Sequence, residues 1–228
     1  DFARDKLAPV ADELDRKQEF AWDNFRMVAE MGLLGLGIPA EYGGSGGGEL
    51  SVAIAVEEIA HACASTADIV DAHLCLCAAP IYCYGTDEQK QRFLPSRVKG
   101  EKVGAMAITE SEASSDVSSI QMTAARDGDG YILNGTKIFI TNGDICDVVV
   151  VFANVPELGE RGMTAFIVEA GTPGYSKGKK YDKLGMRAAT NADQVFEDCR
   201  IPAANRLGDE GRGMRIFLEL IDHGRIGI

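Results

Sequence analysis

The chain has 228 residues, 46% hydrophobic and 25% charged, which reads as an ordinary globular protein of one large or two small domains and excludes a disordered or collagen-like chain. With 23 basic against 35 acidic residues the net charge is −12, which disfavours non-specific binding to nucleic acid or to an anionic membrane. No apolar run reaches the roughly 18 residues of a transmembrane helix, so no transmembrane segment is expected.

The opening Asp1-Phe2-Ala3-Arg4-Asp5-Lys6 lacks the charged-then-apolar order of a signal peptide. The first residue is not Met, as in a chain that begins inside a longer one. Leu7, Val10, Ala11 and Leu14 recur at helical spacing, and Phe20 to Met31 continues the pattern. A Gly- and Pro-rich connector follows through Gly48. It lacks the Gly-Lys-Ser/Thr and the preceding strand of a phosphate loop, so a plain connector is expected. Leu50 to Cys63 and Ala67 to Tyr84 are apolar and Ala-rich, as in buried helices. Thr86-Asp87-Glu88-Gln89 is a capping box opening a helix to about Val98, which Gly100 ends.

The period changes to two near residue 102. Val103 to Thr109 reads as a strand, and Ile120 to Arg126 with Tyr131 to Thr141 flank an Asp-Gly-Asp-Gly hairpin turn. Val148 to Ala153, Thr164 to Val168 and Gln194 to Phe196 are further short strands, a spacing that suggests a small barrel or sandwich. From Gly211 the helical pattern returns, with Met214, Phe217, Leu218 and Ile221 expected on one face. The expected division is a helical domain over 1–102, a β-barrel domain over 103–212, and the start of a third, helical domain over 213–228, an α+β multidomain fold.

Cys63, Cys75, Cys77, Cys83, Cys146 and Cys199 read as free thiols of a reducing compartment, a prokaryotic cytoplasm or a mitochondrial matrix. A metal site at His73-x-Cys75-x-Cys77 is disfavoured, because residues two apart on a helix face different ways. No dinucleotide fingerprint and no Gly-x-Ser-x-Gly elbow is present. Three segments hold candidate ligand groups. Ala105 to Asp116 ends a strand in small hydroxyl residues that can hold a flavin edge or a pyrophosphate, or form an ordinary Ser-rich loop. Lys137 to Gly143 can present Phe139 to a ring and a hydroxyl from Thr141, or be a strand ending in an Asn-Gly turn. Asp222 and Arg225 share a helix face, as a surface ion pair or a ligand clamp.

Taken in order, GLLGLGIPAEYGGSG, YGTDEQKQRFLPSRVKGEKVGAMAITE, DGDGYILNGTKIFITNG and FEDCRIPAANRLGDEGRGMRIFLELIDHGRIGI resemble the acyl-CoA dehydrogenase family from about Leu33 to Ile228. The resemblance implies a helical domain, a middle β-barrel and a C-terminal helical bundle, of which this chain holds the first two and a stub of the third. It implies FAD-dependent oxidation of an acyl-CoA thioester to the trans-2-enoyl-CoA. Electrons would pass to an electron-transferring flavoprotein, in a homotetramer that binds no nucleic acid. Residue by residue, it places Met106, Ile108, Thr109, Ser114, Ser115, Phe139, Ile140 and Thr141 at the flavin, and Ser115, Asp222 and Arg225 at the acyl-CoA. The family usually has Trp where Phe139 stands, and Pro and Gly where Ser111 and Ser114 stand. One family position for the catalytic carboxylate falls on Gly224, so the base is expected beyond Ile228; Glu110 and Glu219 are the nearby carboxylates, and Glu110 reads as structural. The alternatives are a reductase, an oxidase, a decarboxylating dehydrogenase, or a non-catalytic flavin- or acyl-CoA-binding relative.

Overall fold

Helices form where the apolar spacing demands them. In a computed structural model, which describes residues 1–227 with the side chains at 160, 161, 223, 226 and 227 excepted, α1 spans Ala8–Lys17, α2 Trp22–Glu30 and α3 Gly48–Ala62. They are followed by α4 at Ala64–His73, α5 at Ala79–Tyr84 and α6 at Asp87–Val98. The capping box is formed: Gln89 N donates to Thr86 Oγ1 at 3.2 Å and Thr86 N donates to Gln89 Oε1 at 3.0 Å. Gly100, at φ +68°, stops the helix as expected.

The Gly-rich connector folds back on itself. Gly46 N donates to Ile38 O at 2.9 Å and Gly47 N to Leu36 O at 2.7 Å, so these amides serve their own chain rather than an anion. A Cβ on Gly44 would lie 1.9 Å from Ile38 O, which is why only Gly fits that approach. The helix α3 is less buried than its composition suggests. Val52, Val56 and Ile59 face inward at spacings of four and three, while Leu50 and Ile54 face outward.

A π-helical turn at Leu74–Ala78 fuses α4 and α5 into one 21-residue helix. By length and composition this helix could cross a bilayer, contrary to the sequence expectation, but 67% of its apolar window is buried inside the protein. Its first half, with Ile69, Val70 and Leu74, packs in the helical core with Phe25 and Leu34. Its second half, with Cys77 and Ile81, packs on strand residues Val148, Val150 and Phe152. One rod thus serves two cores.

Eight strands follow: β1 (Gly104–Ala107), β2 (Thr123–Asp127), β3 (Gly130–Thr141), β4 (Val148–Asn154), β5 (Met163–Glu169), β6 (Tyr175–Lys180), β7 (Asn191–Pro202) and β8 (Arg206–Leu207). Their order is β6-β7-β3-β2-β4-β5-β8, with β1 parallel to β4. The expected closed barrel is not formed; the sheet is open. Closure would need β6 to pair with β8, and β8 is only two residues long. The register joins β2 to β4 at one pair, Thr123 with Asn154, so the sheet bends there. Ala124, Leu133, Val149, Val151, Phe166 and Phe196 from both halves pack together.

Polar bonds tie the helices to β1. Asn142, in the Asn-Gly turn at φ +62°, donates through Nδ2 to Ile69 O and to Gly104 O, both at 3.2 Å. His73 Nδ1 accepts from Gly104 N at 3.1 Å, and its Nε2 lies 3.1 Å from Arg97 O. Burial lowers the His73 pKa to about 3, so it is a neutral structural group. No group of residues suited to a metal ion occurs among the described residues, and the six cysteines are free. The last helix, α7 (Gly213–Gly227), lays Phe217 on Phe152 with ring centroids 5.9 Å apart. Leu218, expected on the same face, is exposed instead, because it sits one helical step round from Phe217.

Candidate functional site

Where β1 ends, the chain turns beneath the end of β3 and the underside of the long helix. A cleft of about 230 Å³ opens there. Met106, Ile108 and Thr109 line it from the β1 exit, Ser114 and Val117 from the Ser-rich loop, and Phe139, Ile140 and Thr141 from β3. Seven of the eight residues expected at a flavin are therefore brought to one cavity; Ser115 is exposed and lines no part of it. The remaining walls come from Ala72 and Leu76 of the long helix and Phe217 and Ile221 of α7. None of these four helix residues was expected at the flavin, since they lie in ordinary apolar stripes.

Phe139 is held in an unusual way. It has φ +59°, in the left-handed region that costs an L residue about 1–2 kcal/mol. The β3–β7 register slips between Lys137 and Ile140, so Phe139 occupies a bulge. The bulge breaks the two-residue alternation: Lys137 points inward with no exposure, while Phe139 is 58% exposed at the cleft. Its ring lies 4.8 Å from that of Tyr181. Asn191 Nδ2 donates to Phe139 O and to Thr141 Oγ1, each at 3.1 Å. Because Asn191 occupies a lone pair of Thr141 Oγ1, the hydroxyl hydrogen is left to donate elsewhere.

Behind the wall lies a buried ion pair. Lys137 Nζ donates to Glu110 Oε1 at 2.7 Å and to Ile108 O at 2.9 Å. Glu110 also accepts from Gln121 N at 2.6 Å and from Met122 N at 3.0 Å. Burial pushes the Lys137 pKa down to about 8, against the pull of Glu110.

On another side of the same helix, Leu74, Cys75, Ala79 and Tyr82 line a mainly apolar cavity of about 460 Å³, closed by Ile38 and Val52. Gly224 of α7 bridges the two cavities: a Cβ there would lie 3.5 Å from Leu76 Cδ2 and 3.9 Å from Cys75 Cβ. Asp71 is buried beneath Cys75 with Oδ1 unpartnered, and burial raises its pKa to about 6. Asp222 and Arg225 lie on the exposed side of α7 and line neither cavity. Glu219 accepts from Tyr84 Oη and from Arg215 Nε, the latter at 2.7 Å.

Comparison with known proteins gives two matched domain families. Residues 1–101 match the family described as acyl-CoA dehydrogenase, N-terminal domain, and residues 105–199 match acyl-CoA dehydrogenase, middle domain. The chain is similar to the acryloyl-CoA reductase (NADH) of Anaerotignum propionicum, with 48% identity over 230 residues, covering 100% of this chain and 58% of that protein. It superposes on butyryl-CoA dehydrogenase from Megasphaera elsdenii with TM-score 0.95 and 43% identity, over 99% of this chain and 60% of that one. It also superposes on a chain of a solved structure described as the electron transferring flavoprotein of Acidaminococcus fermentans, with TM-score 0.96 and 44% identity, over 99% of this chain and 60% of that one. The chain spans about 60% of the length of the curated relatives it matches.

Proposed function

Since the chain belongs to the acyl-CoA dehydrogenase family, we propose that its cleft holds the ring of FAD and that the protein interconverts an acyl-CoA and its trans-2-enoyl-CoA. The observation that carries this reading is the cleft itself. Three segments distant in sequence converge on one slot with apolar walls and hydroxyls at its edge. The residues present fit a flat, partly polar ring. Met106, Ile108 and Ile140 offer apolar surface, and Phe139 is turned outward at a strained backbone position, a kind of strain that gathers at functional sites. The Thr141 hydroxyl has a hydrogen to donate to an acceptor on the ring.

When bound, FAD supplies acceptance of a hydride from the β-carbon of the acyl group. The chain's own residues bind, orient and dry the site. The 460 Å³ cavity beside the long helix is proposed to take the acyl group, supported by its apolar lining and by its position across Gly224 from the cleft. Substrate α-protons are weakly acidic, so a carboxylate in a dry setting must take one. No carboxylate lines the cleft among the described residues, Gly224 offers no side chain, and the carboxylate of the acyl cavity, Glu49, lies outside the cleft lining, so the base is proposed to come from outside residues 1–228. Asp222 and Arg225 remain proposed acyl-CoA contacts through their exposed face, and Ser115 through the loop that carries it. An electron-transferring flavoprotein as the partner and a homotetrameric assembly are further proposals, the first supported by the likeness to the Acidaminococcus fermentans structure.

A second reading, reduction of a short enoyl-CoA, is favoured by the 48% identity to the Anaerotignum reductase. The two readings separate in one experiment. The chain is loaded with FAD under anaerobic conditions, and visible spectra are recorded after additions of acyl-CoAs of rising length. Bound flavin that keeps its colour with each acyl-CoA is the expected result, with the base absent from the cleft wall. Bleaching would show a base within these residues. Prereduced flavin that regains its colour with acryloyl-CoA, in a chain whose oxidised flavin no acyl-CoA bleaches, would favour the reductase, since a dehydrogenase runs the same half-reaction in both directions. Failure to take up FAD would overturn the reading of the cleft.

A further inference from the structure

Lys137 is the one buried lysine among the described residues, and it sits directly behind the cleft wall. As a source of stability such a pair is weak, because removing both charges from water costs about as much as their attraction returns. Its place in the chain suggests another role. The consecutive residues Ile108, Thr109 and Glu110 are each tied to β3. Lys137 Nζ holds Ile108 O at 2.9 Å and Glu110 Oε1 at 2.7 Å, and Ile138 N donates to Thr109 O at 2.8 Å. Glu110 in turn closes the base of the Ser-rich loop by accepting from the backbone of Gln121 and Met122. Ser114 and Val117 of the cleft lie inside that closed loop.

The same lysine anchors the strand two residues before Phe139, so the left-handed bulge starts from a fixed point. An electrostatic consequence follows. The ammonium polarises the peptide between Ile108 and Thr109. Cis peptides are absent among the described residues, so Thr109 N–H points away from Lys137 and is a stronger donor for that polarisation.

We propose that Lys137 and Glu110 are positioning residues of the ring cleft, which clamp the β1 exit, the Ser-rich loop and the Phe139 bulge into one arrangement and thereby set the affinity and the reduction potential of the flavin. This inference rests on the flavin reading above. The test compares FAD affinity, by quenching of flavin fluorescence, and flavin midpoint potential in the wild-type chain and in the double variant Lys137→Met/Glu110→Gln. That variant discharges both members at once, and its Gln keeps one acceptor oxygen for one of the two backbone amides, which donate to different oxygens of Glu110. The expected result is a folded double variant whose FAD dissociation constant rises by about tenfold or more, the loss typical when a supporting shell is removed, with a displaced midpoint potential. An unchanged affinity and potential in a folded variant would overturn the inference while leaving the flavin reading intact. A wild-type chain that takes up no FAD overturns both. Should the double variant not fold, Glu110→Asp keeps the charge but shortens its reach; it is expected to weaken FAD binding, and wild-type affinity in it would count against the clamp.

Discussion

At the scale of single residues, the buried ionisable groups have different jobs, and Asp71 is one whose cost can be measured. Its carboxyl is 2% exposed, Oδ1 has no partner, and burial raises its pKa from 3.8 to about 6. A carboxyl with a raised folded pKa binds its proton more tightly when folded. The stability it contributes is therefore full below pH 3.8 and is lost as the pH rises through about 6. At pH 7.5 the ionised form costs up to about 3 kcal/mol, at 1.36 kcal/mol for each pK unit. Asp71→Asn is accordingly expected to stabilise the chain by about 1–3 kcal/mol at pH 7.5 and by little at pH 4, read from urea melts at both values. Equal stabilisation at the two pH values would show that packing, and not charge, limits this site. Lys137 is the contrasting case, where a buried charge is bonded to Ile108 O and to the Glu110 carboxylate.

At the scale of elements, what could be read in the sequence was what local chemistry decides. The Thr86 capping box, the Asp-Gly-Asp-Gly hairpin and the switch of period near 102 each depend on a few neighbouring residues, and each is formed. The resemblance to a known family also named seven residues that meet at one cleft. What escaped depends on distant pairing. β6, with the sequence YSKGKK, looks like a solvated loop until β7 lies beside it. Openness of the sheet is a property of edges, and the bulge at Phe139 follows from a register slip against β7. Burial of Lys137 needs Glu110, 27 positions away. The docking of the long helix on β1 was equally hidden, and it hangs on Gly104. A Cβ there would lie 2.5 Å from Cys77 Sγ and 2.6 Å from Cys77 Cβ. Gly104→Ala must part the strand from the helix just before Met106, and it is expected to cost about 1–3 kcal/mol in thermal or urea unfolding. Cys77→Ala removes the nearer of the two contacts, so in a double-mutant cycle the pair should couple favourably. A Gly104→Ala chain with wild-type stability would mean that β1 and the helix are not tightly docked.

At the scale of the whole molecule, the cleft is a joint. Its walls come from the long helix, the β1 exit, the Ser-rich loop, the end of β3 and α7; Met106, Ile108 and Phe217 belong to the cluster between the helices and the sheet, and Ile140 to the cluster within the sheet. Elements that share one ligand are expected to unfold together when it is bound. A ligand that binds only the folded chain, at 100 times its dissociation constant, adds about 2.7 kcal/mol. For a chain of this size that corresponds to a rise in Tm of about 5–10 °C, at about 2–4 °C for each kcal/mol. Calorimetry without FAD is expected to give a broader transition at lower temperature, because the long helix, the end of β3 and α7 then lack the ligand that joins them. With FAD in excess the expected trace is a single sharper peak at higher temperature. The shift should grow with the logarithm of FAD concentration, which separates specific binding from a general co-solvent effect. A Tm that stays fixed as FAD is raised from sub-stoichiometric to a hundredfold excess would show that the folded chain takes up no FAD. A rise confined to one of two resolved peaks would place it within one core, and the joint formed by Ala72, Leu76, Phe217 and Ile221 would then carry no binding energy.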